Sequence, residues 1–169
     1  MDNPCEYCNS KCCKYYTVAL TREDILRVLK IKKGFEWIQV IEANGIETQF
    51  SHGFFIFDQG KMKECFLALN RKRSEKCIFL ENNKCSIYEY RPMACRLYPF
   101  ELGVKGVEYK KKHRCPIGWN IDDIKKDFLE NNEIAKKEIE EHEKKVREWN
   151  SKINEKKTIK EFIEFLIEE

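Results

Sequence analysis

Residues 77–99 read CIFLENNKCSIYEYRPMACRLYP, and this stretch decides how the chain is read. It places Cys77, Cys85 and Cys95 among aromatic and arginine residues. Asn82-Asn83 is a turn dipeptide that tolerates positive φ, so Cys77 and Cys85 are expected to flank a hairpin. Glu89-Tyr90-Arg91 reads as a helical turn that must stop before Pro92. A second group, Cys5, Cys8, Cys12 and Cys13 in CEYCNSKCC, lies near the N-terminus, and Cys115 follows in HRCPIGW.

The first group is expected in a loop over residues 2–16. Cys5-x-x-Cys8 has the spacing of a metal knuckle, because two intervening residues let a tight turn aim both sulfurs at one ion. Cys12 and Cys13 are neighbours, and in extended backbone they would point to opposite sides. On that reading they serve two sites, or one is a ligand and the other a spectator. Cys65 falls in an apolar run and reads as a small buried residue.

That leaves eight thiols of the nine cysteines: Cys5, Cys8, Cys12, Cys13, Cys77, Cys85, Cys95 and Cys115. Eight suit two four-cysteine sites, or one site with thiols to spare. A disulfide framework is disfavoured by the odd count, by the C-x-x-C spacing and by an N-terminus with no secretory pattern. The longest apolar run, residues 65–69, is too short for a bilayer, and a cytoplasmic protein with reduced thiols is expected.

Thiolates select zinc, copper(I) or iron–sulfur clusters over oxygen-seeking cations. Zinc and a [4Fe–4S] cluster share the all-cysteine donor set. Two details favour the [4Fe–4S] cluster, with zinc as the alternative. Cys115-Pro116 matches the Cys-Pro ending of ferredoxin-type motifs, and 63 residues separate Cys13 from Cys77, unlike paired zinc knuckles. A radical S-adenosylmethionine motif is absent: Cys8 and Cys12 have its first spacing, but Tyr15 stands at its third position. Four thiolates around a +2 centre carry a net charge of about −2. Arg91 and Arg96 are therefore candidates to hydrogen-bond sulfur and offset that charge.

CEYCNSKCC with CIFLENNKCSIYEYRPMACRLYPF resembles the CxxCxxCC family of zinc- or iron-chelating proteins, also called YkgJ-type cysteine-cluster proteins, over roughly residues 3–117. The most specific part is C-x7-C-x-I-Y-x-x-R-P-x-x-C-R-x-Y-P. The resemblance implies that Cys5, Cys8, Cys12, Cys13, Cys77, Cys85 and Cys95 chelate, with Cys115 as the downstream member. This chain has three residues, Asn9 to Lys11, before the cysteine pair where the family pattern has two. Some family members resemble flagellin lysine methylases. Here the seven glycines are scattered and none forms G-x-G-x-x-G, so a methyl-donor loop is not visible.

The remaining chain frames this centre. Thr21 and Asp24 form a capping box for a helix to Lys30. Phe35, Ile38 and Ile41 suggest a second helical segment ending near Asn44-Gly45. Phe54–Phe57 and Lys63–Leu69 read as a hairpin about Asp58-Gln59-Gly60, and a further hairpin is expected about Lys105-Gly106. From residue 121 an apolar stripe runs through Ile121, Ile124, Phe128, Ala135, Ile139, His142, Val146, Trp149 and Ile153, with Asn131-Asn132 as the candidate break. Thr158 and Glu161 cap a last helix.

The fold class expected is α+β: a small, irregular, hairpin-rich cysteine-cluster core (1–120) with flanking helices and a long, charged helical extension (121–169). The extension is expected to fold back on the core, with docking to a protein partner as the alternative. Net charge is +3 with 36% charged residues, so Arg71-Lys72-Arg73 and Lys110–Arg114 read as solvated faces rather than a nucleic-acid surface. His113 and His142 read as hydrogen-bonding or packing residues, and His52 has no evident partner. Function reads as an iron–sulfur protein in electron transfer or in a redox or modification enzyme. A zinc-stabilised interaction module is the alternative, and a lysine methylase-like enzyme a weaker one.

Overall fold

The computed structural model describes residues 8–43, 53–152 and 157–168. Its elements run in chain order as α1 (Lys11–Tyr15), α2 (Arg22–Leu29), β1 (Ile38–Glu42), β2 (Phe54–Asp58), β3 (Lys61–Leu69), β4 (Leu80–Glu81) and β5 (Lys84–Cys85). A 3-10 turn (Tyr88–Tyr90), α3 (Met93–Leu97), β6 (Phe100–Gly103), β7 (Gly106–Tyr109), α4 (Ile121–Ser151) and α5 (Ile159–Ile167) complete it. The architecture is α+β, with helices around small antiparallel sheets.

The main sheet has the order β1-β3-β2. Gln59 (φ 48°) and Gly60 (φ 78°) make the β2–β3 turn, the left-handed pair a two-residue hairpin needs. β3 is buried from Cys65 to Leu69. Alternate residues Cys65, Leu67 and Leu69 enter the core with Leu20, Trp37 and Phe54, as the two-residue period of a strand requires. Cys65 thus has the packing role read from its apolar setting.

Residues 38–42 correct one expectation. They form β1, paired Ile38↔Leu69 through Glu42↔Cys65, and not a helix. The Phe35/Ile38/Ile41 spacing mimicked a helical period. The β-branched residues Ile38 and Val40, two apart, are the pair that packs against the core.

α4 is one unbroken helix of 31 residues, roughly 46 Å long at 1.5 Å per residue. Asn131 does not break it: its side-chain amide donates to the Asp127 carbonyl one turn back, 2.7 Å away. Phe128, Ala135, His142, Val146 and Trp149 are buried on one stripe, so the extension folds back on the preceding residues. Ile153 lies outside the described residues.

The C-terminal end of α4 closes the outer edge of β2. Asn150 Oδ1 accepts from Phe55 N–H (2.9 Å) and the Lys157 carbonyl from Phe57 N–H (3.0 Å), while Trp149 Nε1–H donates to the Phe55 carbonyl (2.7 Å). Edge groups that could pair with another chain are satisfied internally. Phe162 of α5 stacks on Phe54, with ring centroids 3.7 Å apart, and meets Trp149 edge-on. Thr158 and Glu161 form the expected capping box, as do Thr21 and Asp24 at α2. Among the described residues, no helix is long and apolar enough to cross a membrane.

His142 joins the middle of α4 to α2. It is 4% exposed, and its Nδ1 accepts a hydrogen bond from Arg22 N–H at 3.1 Å. Burial pulls its pKa down to about 4, against a small opposing pull from Glu143. The folded value lies below the unfolded one of about 6.5, so the neutral ring's contribution is complete above pH 6.5 and is lost as pH falls towards 4. Urea midpoints at pH 7 and 4.5 test this. The wild type should lose about 2 kcal/mol more than His142→Gln over that range. Parallel losses would show that the ring is not charged against burial.

Candidate metal centre

The centre is built from three segments far apart in sequence. α1 carries Cys12 and Cys13, so residues 11–15 are helical where a loop was expected. A five-residue helix has almost no stability of its own, and neighbouring groups hold it. Ser10, in the left-handed region at φ 53°, donates from Oγ to the Asn83 carbonyl at 2.6 Å. Cys77 N–H donates to the Cys13 carbonyl at 2.8 Å. Arg71 spans the C-terminal end of the helix, donating to the carbonyls of Tyr16 (2.8 Å), Lys14 (2.9 Å) and Glu75. A guanidinium on the last carbonyls of a helix satisfies acceptors that have no partner within it.

Helical backbone changes what adjacent cysteines can do. Cys12 and Cys13 Sγ are 3.8 Å apart and share a hydrogen bond. The extended-backbone reading, in which the two sulfurs point apart, is overturned.

The second segment is the β4–β5 hairpin. Asn82 (φ 48°) and Asn83 (φ 60°) form its turn, as the dipeptide indicated. Cys85 lies opposite Leu80, and Cys77 sits before the hairpin in a bridge with Arg71. The third segment is α3, which carries Cys95. Its first N–H, that of Met93, donates to Asp24 Oδ1 at 2.8 Å.

Asp24 is fully buried and also accepts from Arg27 Nη1 (2.5 Å) and Thr21 N–H (3.2 Å). One carboxylate therefore caps two helices, α2 and the cysteine-bearing α3. Arg27 also pairs with Glu138 of α4. The capping-box pattern revealed only the local half of this work.

Cys12, Cys13, Cys77, Cys85 and Cys95 line one cavity. The structure thus brings together five of the eight thiols singled out in the sequence. Cys8 and Cys115, both half-buried, are not in that wall, and Cys5 lies outside the described residues. Among the described residues, no group of three or more Cys, His, Asp or Glu is closed to metal-binding distance as it stands.

The aromatic residues hold the approach to the cavity. Tyr16 and Tyr98 pack at 5.3 Å. The Tyr16 hydroxyl donates to the Lys112 carbonyl at 3.0 Å, and the Tyr98 hydroxyl accepts from Arg114 N–H at 2.5 Å. The segment leading to Cys115 is fastened there. His113 lies against the Tyr109 ring at 4.8 Å. His52 lies outside the described residues.

Arg91 stacks on the Tyr88 ring at 3.7 Å, and its positive field favours the thiolate forms of Cys12 and Cys85. Arg96 acts on backbone instead, donating to the carbonyls of Arg91 (3.2 Å) and Glu89. Burial lowers its pKa. Arg71 and Lys72, read as solvated charge, spend their heads on carbonyls, Lys72 on Leu80 at 2.6 Å.

The thiols are electrostatically unequal. The hydrogen bond from Cys13 pulls Cys12 down to about 7, and the same bond pushes Cys13 up. Burial pushes up Cys77, Cys85 and, most strongly, Cys95. Buried sulfur that is costly to ionise stays protonated until a cation supplies the missing positive charge. An all-sulfur donor set of this kind fits a thiophilic metal such as zinc or iron.

Asp24→Ala tests the scaffold. It leaves the Met93 and Thr21 N–H groups without their acceptor and takes from Arg27 one of its two carboxylates, and should cost about 3–5 kcal/mol in urea denaturation. A loss below roughly 0.5 kcal/mol would mean that α3 is held by other contacts.

A family model described as "CxxCxxCC: Putative zinc- or iron-chelating domain" matches residues 4–117, which contain all nine cysteines and end before α4. No curated protein and no solved structure matches the chain.

Proposed function

This chain belongs to the CxxCxxCC family of zinc- or iron-chelating domains, and from that premise we propose that it holds one mononuclear metal ion, zinc by preference, on thiols of the shared cavity wall. Cys12, Cys13, Cys77, Cys85 and Cys95 are the available donors. The observation that carries this reading is the 3.8 Å between the sulfurs of Cys12 and Cys13. Two thiolates on one tetrahedral ion with bonds near 2.3 Å stand roughly 3.8 Å apart, because a tetrahedron's edge is about 1.63 times its centre-to-corner length. In a [4Fe–4S] cluster each cysteine takes a different iron, so the sulfurs diverge from separate corners. The sulfur pair therefore favours one ion over the four-iron cluster that the Cys-Pro ending suggested.

Bound there, the ion supplies the positive charge that burial denies the thiols, and it joins α1, the β4–β5 hairpin and α3. None of these pieces is long enough to be stable alone. The role so assigned is a metal-pinned binding domain in a reducing, cytoplasmic setting. It needs neither electron transfer nor methyl transfer.

Metal and sulfide analysis of protein purified without oxygen tests the reading. The expected product is colourless, with about one zinc per chain and no acid-labile sulfide. Cys12→Ser and Cys13→Ser should each lose most of the metal, while Cys65→Ala, altered in the core of β3, keeps it. Brown protein with stoichiometric iron and sulfide would overturn the proposal. That includes a two-iron cluster, which also seats two thiolates on one iron.

A further inference from the structure

The cavity is far larger than an ion. It offers about 930 Å3, and its wall continues past the thiols to Phe100 and Glu101 of β6, to Lys110, Lys111, Lys112 and Trp119, and to the first turns of α4. That volume lies within the range of small-molecule sites, about 300–1,000 Å3. We propose that this outer part binds a small organic anion with a flat apolar body, an aromatic carboxylate being the fitting class. The inference goes beyond the metal reading and depends on the cavity rather than on the ion.

Three observations define the ligand. The first is the apolar wall. Phe100 meets Trp119 and Phe128 edge-on at 6.0 and 6.1 Å, and with Ile124 these rings form a surface for a flat body. The second is an unmade hydrogen bond. Trp119 Nε1–H is buried with no acceptor, although the residue is firmly held. The Tyr109 hydroxyl accepts from Trp119 N–H (2.6 Å) and donates to the Trp119 carbonyl (3.1 Å). These bonds fix the Trp119 backbone, and a ligand oxygen that reached Nε1 would complete the missing bond.

The third observation is charge. Six Lys and Arg line the cavity against three Asp and Glu. Arg71, Arg91 and Arg96 are engaged with backbone carbonyls. Lys110, Lys111 and Lys112 are exposed and, among the described residues, have no ion-pair partner. Their backbone is fixed where Lys110 N–H donates to the Pro99 carbonyl (2.9 Å) and the Lys112 carbonyl accepts from Tyr16. Three unpaired ammonium groups beside an apolar wall select an amphipathic anion.

Calorimetric titration of the full-length, metal-loaded protein with 1-naphthoate tests this, with 1-naphthylmethanol as the uncharged comparison. The naphthoate should bind saturably at one site and the alcohol about tenfold more weakly. Trp119→Phe should weaken naphthoate binding about fivefold, and the combined Lys110→Ala, Lys111→Ala, Lys112→Ala variant about tenfold. The lysine variant changes only exposed side chains, so it remains informative if Trp119→Phe misfolds. No saturable naphthoate binding to protein of intact circular dichroism, or equal affinity in wild type and lysine variant, would overturn the proposal. Metal content measured on the same samples separates that failure from a failure of the metal reading.

Discussion

Sulfur crowded onto one half-buried wall, where ionising it is costly, is the constraint on which this structure turns. Burial holds Cys77, Cys85 and Cys95 away from ionisation, while the contact between Cys12 and Cys13 pulls the first towards thiolate and the second away from it. A cation among these groups resolves the conflict, because metal ligation replaces protons on sulfur and supplies the compensating charge in one step. The peripheral elements serve to bring the sulfurs together and to keep them facing the same space.

That service depends on polar groups with several partners each. Asp24 joins α2 to the helix of Cys95, and Arg27 extends the link to α4. Arg71 fastens the end of the helix carrying Cys12 and Cys13 to the segment that leads to Cys77. Asp24 and Arg71 are spent on backbone donors and acceptors, which fixes direction as well as position, and Arg27 on the carboxylates of Asp24 and Glu138. α4 spans both regions: Phe128 lies in the cavity wall, His142 on α2 and Trp149 against β2.

Much of this was legible in the sequence because the signals were local. Both capping boxes, the Asn82-Asn83 turn, the β2–β3 hairpin and the stripe of α4 depend on residues within a few positions of one another. The gathering of Cys12 and Cys13 with Cys77, Cys85 and Cys95 was legible from chemistry, since so many thiols need a common purpose. The failures have a common cause. Residues 38–42 carry two overlapping periods, and pairing with β3 decided between them. Residues 11–15 are too short to announce a helix and owe it to partners some sixty to seventy residues away, Arg71 and Asn83 among them. Asp24 announced its partner three residues off and gave no sign of Met93, 69 residues off.

Metal-edge X-ray absorption on the purified protein reports most directly on whether those sulfurs share one ion. The account predicts a zinc edge with four sulfur neighbours at about 2.3 Å and no metal–metal vector. An iron edge with a metal–metal vector, or a zinc shell dominated by nitrogen and oxygen, would contradict it.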